Sequence, residues 1–334
     1  MAVLVTGGAG YIGSHTVYEL IDKGYDVVVA DNLTTGHAEA VHKKAEIYIG
    51  DIRSKLFLDD LFSREKIDGV IHFAASSLVG ESMISPLKYY DNNLYGTMIL
   101  LESMVANGID KLIFSSSAAV YGEPESIPIK ETAVTSPLNT YGETKLAMEK
   151  MIKWASIAYG IKYVALRYFN ACGAHASAEI GEDHNPETHL IPLVLQTAGK
   201  QRENISIFGT DYETRDGTCI RDYVHVTDLA RAHILALEYL MRGKESNVFN
   251  LGSGSGYSVA EVIKSALNIT GQDILSVEMP RRVGDPAELT ASNEKAFALL
   301  GWKPEFSELD CIITTAWRWH HWHPHGFMKD ERYE

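Results

Sequence analysis

Residues 6–13 read TGGAGYIG and follow directly on an apolar run, VLVT, at residues 3–6. Few short sequences constrain a fold as tightly. Glycines at 7, 8, 10 and 13 satisfy both Gly-x-Gly-x-x-Gly and Gly-x-x-Gly-x-x-Gly. Such glycines permit a tight turn, let backbone approach a pyrophosphate, and allow close helix–strand packing. The free N–H groups at the start of the following helix then face the phosphates.

The first half of the chain continues the strand–helix alternation that this turn begins. Apolar runs at 3–6, 26–30, 46–49, 69–74, 111–116 and 162–169 are separated by helical patterns. In the pattern at 11–23, Ile12, Val17, Leu20 and Ile21 fall on one stripe. Near-continuous hydrophobicity in the runs means that both sheet faces are covered by helices. The expected fold is α/β, a Rossmann-type doubly wound parallel sheet. After about residue 170 the sequence ACGAHASAEIGEDHNPETH reads as loop, and further helical patterns lie near 228–241 and 259–267. Residues 1–170 are therefore expected to form a dinucleotide-binding domain. Residues 171–334 are expected to form a smaller α+β lobe over the carboxyl edge of the sheet, with some helices and a strand returning to the first domain.

Asp31 ends the second run, eighteen residues after Gly13. A carboxylate there accepts hydrogen bonds from a ribose diol and repels a 2′-phosphate. The following Asn32, Leu33, Thr34, Thr35 and Gly36 include no arginine to reverse that preference, so the expected cofactor is NAD. Asp51 and Ile52, after the third run, stand where an adenine contact would fall.

KLIFSSSAAVYG places Ser115, Ser116 and Ser117 at the carboxyl end of the fifth run, on the cofactor's edge of the sheet. Tyr141 and Lys145 follow, one helical turn apart and so on one face of the helix predicted at 141–159. A phenol of pKa about 10 needs roughly 3 to 4 kcal/mol of phenolate stabilisation to act as a base at neutral pH. The expectation is that Lys145 supplies one positive charge and an oxidised nicotinamide another. Ser117 would bridge substrate and phenolate.

A formal net charge of -14 argues against non-specific nucleic-acid binding, and any anionic ligand must be met by local cations or backbone N–H groups. No apolar run approaches the roughly 18 residues that cross a bilayer, and MAVLVTGG is not a secretory leader. Cys172, Cys219 and Cys311 are widely spaced and form no CxxC, which fits a reducing, cytoplasmic setting. His320, His321, His323 and His325 are close in sequence, but Pro324 and Gly326 break any helix that would converge them. They are expected to belong to an aromatic segment on the surface, and no metal site is expected.

The glycine fingerprint, the strand-end serine and the Tyr-x-x-x-Lys pair, in this order, resemble the extended short-chain dehydrogenase/reductase superfamily. Within it the chain resembles the UDP-glucose 4-epimerase family. The match is carried by TGGAGYIGSHT, VIHFAA, GES, YYDNN, FSSSAAVYG, LRYFN, GEDHNP, GTCIRDYVHV, FNLGSGSGYSV and RRVGDPAEL, from residue 2 to about 327. The resemblance implies an NAD-dependent isomerase of galactose metabolism, in which the Tyr141 phenolate takes the 4-OH proton while sugar C4 gives hydride to NAD. The 4-keto sugar then turns and takes the hydride back on its other face.

It also implies roles for individual residues. Gly7, Gly10, Tyr11, Ile12, Gly13, the loop from Asp31 to Gly36, Asp51, Ile52, Phe73, Ala74, Ala75, Ser77, Asn92, Ser115, Tyr141, Lys145 and Phe169 would hold the dinucleotide. Ser117, Tyr141, Asn170, His189, Leu190, Phe208, Arg221, Arg282 and Asp285 would contact the UDP-sugar, the two arginines at its pyrophosphate. The family often has lysine where Ser77 stands and asparagine where His189 stands. Leu289 replaces a tyrosine found in members restricted to unacetylated sugars, which leaves room for UDP-GlcNAc and UDP-GalNAc. A homodimer is implied, through helices at 94–106 and 143–159.

Three other readings are weighed against this one. A 4,6-dehydratase needs an Asp-Glu pair after the strand-end hydroxyl, where this chain has Ala118 and Ala119. A decarboxylase or NAD-consuming dehydrogenase would release NADH in step with turnover. A non-catalytic dinucleotide sensor would be expected to break the Ser, Tyr, Lys set.

Overall fold

The computed structural model describes residues 1–282 and 285–327. Six strands form in the first half: β1 Ala2–Thr6, β2 Asp26–Asp31, β3 Glu46–Ile49, β4 Gly69–His72, β5 Lys111–Ser115 and β6 Lys162–Tyr168. With the later strand Asn247–Leu251 they make a seven-stranded sheet. Its order, from one edge, is Asn247–Leu251, β6, β5, β4, β1, β2, β3, and every pairing is parallel. Chain direction across the sheet reverses between β1 and β4, which opens a crevice at their carboxyl ends. The fold is the Rossmann-type doubly wound sheet expected from the hydrophobic pattern.

Alternate residues of each strand enter opposite cores. Val3, Val5, Val29, Ile71 and Ile113 pack with Val17, Leu20 and the helix Val226–Met241 on one face. Leu4, Val28, Val70, Leu112 and Phe114 pack with Leu58, Leu100, Met148 and Ile152 on the other. Truncating one of these, such as Leu100→Ala, costs about 2–5 kcal/mol. β4 stops at His72, two residues before its apolar run ends. The N–H groups of Phe73 and Ala74 both turn to the Thr6 carbonyl, at 2.9 and 3.1 Å, and press this strand end onto the glycine turn.

The helices Leu190–Ala198, Val259–Thr270 and Leu309–Trp322 build a separate core around Val194, Leu195, Val262, Ile312 and Ile313. Val259–Thr270 opens with a capping box between Ser258 and Glu261 and ends on Gly271 at φ 63°. The three cysteines are free thiols. The carboxyl-terminal aromatics are more deeply packed than expected: Trp319 is buried and stacks on His323 with ring centroids 4.0 Å apart. No described helix is long and apolar enough to cross a membrane.

Candidate active site

The glycine turn is shaped partly by its own chain and partly by something else. Gly7 has φ +74°, and a Cβ there would come within 2.6 Å of Ala74 N. A Cβ on Gly13 would lie 2.1 Å from the Gly7 carbonyl oxygen. Gly10 differs: its added Cβ would meet only the Gly7 oxygen, at 3.4 Å. Protein packing does not demand glycine at position 10. An anion seated over the amino end of helix Tyr11–Asp22 would, so the cradle fits a dinucleotide pyrophosphate.

Asp31 lies beside this turn. It is buried, and its two oxygens accept the N–H groups of Ala9 at 3.0 Å and Leu33 at 2.9 Å. Burial raises its pKa, while these backbone donors act the other way. Each oxygen keeps a lone pair for a diol. Leu33 is held at φ 55°, a strained conformation for a leucine, and Thr34 N–H donates to Asn32 Oδ1 at 3.1 Å. Thr35 and Gly36 complete this loop. Asp51 is bound by Arg53, Nη2 to Oδ2 at 2.6 Å, which holds its carboxyl down at about 2. Asn32 also donates to Asp51, and Ile52 is buried beneath the pair.

At the end of β4, Phe73, Ala74 and Ala75 adjoin the glycine turn, while Ser77 is exposed. Asn92 donates to Asn93 Oδ1 at 3.2 Å. Asn93 is a residue the sequence reading missed. It is fully buried in a π-helical turn, Tyr90–Tyr95, accepts from Ser76 N–H at 2.7 Å, and donates to Thr144 Oγ1 at 3.1 Å. It therefore fastens the β4 loop to the helix that carries Tyr141 and Lys145.

That helix is Thr140–Tyr159, capped by Asn139, whose Oδ1 accepts Gly142 N–H at 2.8 Å, and ended by Gly160 at φ 78°. The three serines after β5 have separate fates. Ser115 Oγ pairs with the Tyr168 hydroxyl at 2.5 Å, and Ser116 Oγ donates to Glu149 at 2.5 Å. Ser117 Oγ accepts Ala119 N–H at 3.1 Å, and its side chain is the one that opposes the rise of the Tyr141 phenol.

Lys145 is buried, its Nζ 2.7 Å from the Ser115 carbonyl oxygen and 5.9 Å from the Tyr141 ring centroid. Burial lowers its pKa to about 7, against the attraction of Glu149. The Tyr141 ring keeps a partly exposed face, yet its hydroxyl lies deep among protein atoms. Burial raises the phenol, and the Ser117 side chain opposes that rise. The protein alone thus leaves the phenol above its ordinary pKa.

Glu149 was also missed. It continues the Tyr141, Lys145 face by one more turn and takes Arg167 bidentately, Nε to Oε1 at 2.8 Å and Nη2 to Oε2 at 2.5 Å. Arg167 reaches the Tyr121 hydroxyl at 2.9 Å. Its signal was legible, since 141, 145 and 149 are spaced i, i+4, i+8.

The substrate-side residues gather near the short strand Ile220–Arg221, which pairs with Glu288–Leu289 and Tyr257–Ser258. Arg221 forms an ion pair with Asp285, and the Arg282 guanidinium sits 3.9 Å from the Phe208 ring centroid. Asn170 Nδ2 donates to the Asp222 carbonyl at 3.1 Å. Phe169 and Leu289 pack on the cluster of Ala118, Tyr121 and Leu146, beside the Ser117 turn. His189, ahead of Leu190 at the start of its helix, lies among carboxylates, 2.8 Å from Glu182 and 3.1 Å from Glu187.

Residues 3–252 match the model of the NAD dependent epimerase/dehydratase family. This chain belongs to that family. Similarity to members of the NAD dependent epimerase/dehydratase family extends over the whole chain. A UDP-glucose 4-epimerase of Lacticaseibacillus casei is 58% identical over 327 residues, covering 98% of this chain and 99% of that one. A crystal structure of a UDP-glucose 4-epimerase superposes with a TM-score of 0.97 at 54% identity, covering 98% of this chain and 100% of that one. The Bifidobacterium longum UDP-glucose 4-epimerase, solved in complex with NAD+ and UDP, has a TM-score of 0.92 at 41% identity, over 98% of this chain and 100% of that one. The epimerase family is NAD-dependent, in agreement with the cofactor read from Asp31 and the glycine turn.

Proposed function

We propose that this chain is an isomerase that interconverts UDP-glucose and UDP-galactose by transient oxidation at sugar C4, with NAD held throughout the cycle. The observation that carries the reading is the placing of buried Lys145 at the carboxyl end of β5, 5.9 Å from the Tyr141 ring and beside Ser117, near a glycine turn with room over Gly10. When bound, NAD supplies the hydride acceptor and a second positive charge beside the phenol.

The chain's own groups do the rest. Tyr141 takes the 4-OH proton and returns it, and Ser117 holds the hydroxyl in line with the phenol. Lys145, with a pKa of about 7, donates charge or a hydrogen bond near neutrality. Arg221 and Arg282 neutralise the pyrophosphate, Asp285 takes the uridine ribose, and Phe208 lies along the uracil. Residues 1–170 serve mainly the dinucleotide and 171–334 mainly the UDP-sugar.

Further features of the reading rest on single observations. Tyr95, Met98, Val105, Trp154 and Ile157 leave apolar surface exposed on the helix Gly96–Ala106, its lead-in turn and the helix Thr140–Tyr159, which supports a homodimer joined by these helices. The test of the activity is incubation of purified protein with UDP-galactose, without added cofactor. UDP-glucose should appear without net NADH. Tyr141→Phe should lose about 10²–10⁴ in turnover while keeping its NAD. NADH released in step with product would favour a dehydrogenase, and full activity in the Tyr141→Phe variant would sink the proton-transfer role.

A further inference from the structure

The segment GEDHNPETHL, which the sequence reading treated as loop, brings together a second set of chemical groups. We propose that Glu182, His184, Glu187 and His189 form a closed structural site for a divalent transition-metal ion of the zinc class. The ion would fasten the loop before helix Leu190–Ala198 to the glycine turn. It gives His189 to the ion rather than to the UDP-sugar, and needs no other part of the epimerase reading.

Each of the four residues offers one ligand atom, and all four atoms lie within 4.8 Å of one another. His184 Nδ1 is 3.2 Å from Glu182 Oε1 and 3.7 Å from Glu187 Oε2. His189 Nδ1 is 2.8 Å from Glu182 Oε1 and 3.1 Å from Glu187 Oε1. Ligands about 2.1 Å from a tetrahedral centre stand roughly 3.4 Å apart. The observed separations bracket that value, so small side-chain rotations would complete the shell.

A second observation adds to this geometry. The Glu182 side chain is 4% exposed, and although its Oε1 stands 2.8 Å from His189 Nδ1, neither that oxygen nor the buried Nδ1 of His184 makes a directed hydrogen bond. The two atoms are within contact distance but are not directed to share a hydrogen. Buried polar atoms left in this condition cost free energy unless another partner takes their lone pairs. A cation between them would accept all four.

The ligand chemistry narrows the choice of ion. Two imidazoles favour zinc and its neighbours over magnesium or calcium, and two carboxylates balance a charge of two. Four protein ligands leave no open position, so the site is structural rather than catalytic. Its surroundings support a fastening role. Glu187 Oε1 is oriented by the N–H groups of Thr188 and His189, at 2.7 and 2.8 Å. The Tyr11 ring, directly after Gly10, meets His184 edge-on at 6.1 Å, and its hydroxyl donates to the Gly173 carbonyl at 2.5 Å. His189 stands at the residue before helix Leu190–Ala198. An ion here would join the cofactor turn to the amino end of that helix.

The test uses the full-length, NAD-bound protein, loaded with zinc chloride, freed of loose metal by desalting, and assayed by mass spectrometry for metal. About one zinc per chain should be retained, and cobalt in its place should give the visible absorption of a four-coordinate centre. Zinc at about 100-fold over its Kd should raise the thermal midpoint by roughly 4 °C relative to chelator-treated protein. His184→Ala and Glu187→Gln should each lose the metal and this shift while keeping the native circular dichroism. Failure of the unaltered protein to retain zinc, or a midpoint indifferent to zinc and chelator, would overturn the proposal and leave an ion-pair cluster. Zinc retained equally by both variants would overturn it too, by placing the ion elsewhere.

Discussion

The Lys145 ammonium nitrogen lies 2.7 Å from the main-chain oxygen of Ser115, so the amine is tied to the strand end and not to the phenol it is spaced to meet. This carbonyl fixes the amine below the Tyr141 ring, 5.9 Å from its centroid, in a place that water hardly reaches. Burial in that place, and not the carbonyl, lowers the amine's pKa, which leads to the first prediction.

In an unfolded chain the Lys145 amine titrates near 10.4, and in the folded protein burial brings it to about 7. Between those values the unfolded chain binds the extra proton. Stability of the cofactor-free protein should therefore climb as pH rises from about 7 to about 10, and fall on the way back. Urea unfolding of unaltered protein and of Lys145→Met over that range isolates this contribution. Parallel curves would mean that the amine keeps an ordinary pKa.

Glu149→Gln should be strongly destabilising. It leaves the buried Arg167 guanidinium without its bidentate carboxylate, a loss of about 3–5 kcal/mol for a broken buried pair. It also removes the attraction that holds the Lys145 pKa up, so, with Lys145 acting in its protonated form, the alkaline limb of the activity profile should move to lower pH. A merely structural role would lower the melting temperature without moving the profile.

Arg221→Met should raise KM for UDP-galactose roughly 10-fold or more and leave kcat within a few-fold, because a pyrophosphate contact binds ground and transition states alike. Steady-state kinetics decide this. Equal loss in kcat and kcat/KM would place Arg221 in the chemistry instead.

Leu289 lies beside the Ser117 turn without a phenol to fill the space there. The unaltered protein should interconvert UDP-GlcNAc and UDP-GalNAc, and Leu289→Tyr should suppress that reaction by about 10-fold or more relative to UDP-galactose. Failure of the unaltered protein to act on the acetylated pair, at enzyme levels sufficient for UDP-galactose, would reject the idea.

Local and periodic features were legible from the residues alone. The glycine turn, Asp31, and the alternation that makes β1 to β6 depend on backbone sterics and on hydrophobic period, both of which act within a few residues. Tyr141 and Lys145 were legible for the same reason, since one helical turn fixes their common face. What depended on residues far apart in the chain was not legible. The sequence led to the expectation that a strand of the second half returns to the sheet, but it could not show that Asn247–Leu251 is that strand, at the outer edge, nor that Asn93 would reach Thr144 and Ser76. Nor could it show that Ser115, Ser116 and Ser117 would turn to three different partners, or that Glu182 would be buried against two histidines. The direction of the Tyr141 pKa shift belongs with these. Desolvation depends on every atom that excludes water from a group, and only the assembled tertiary structure determines where those atoms stand.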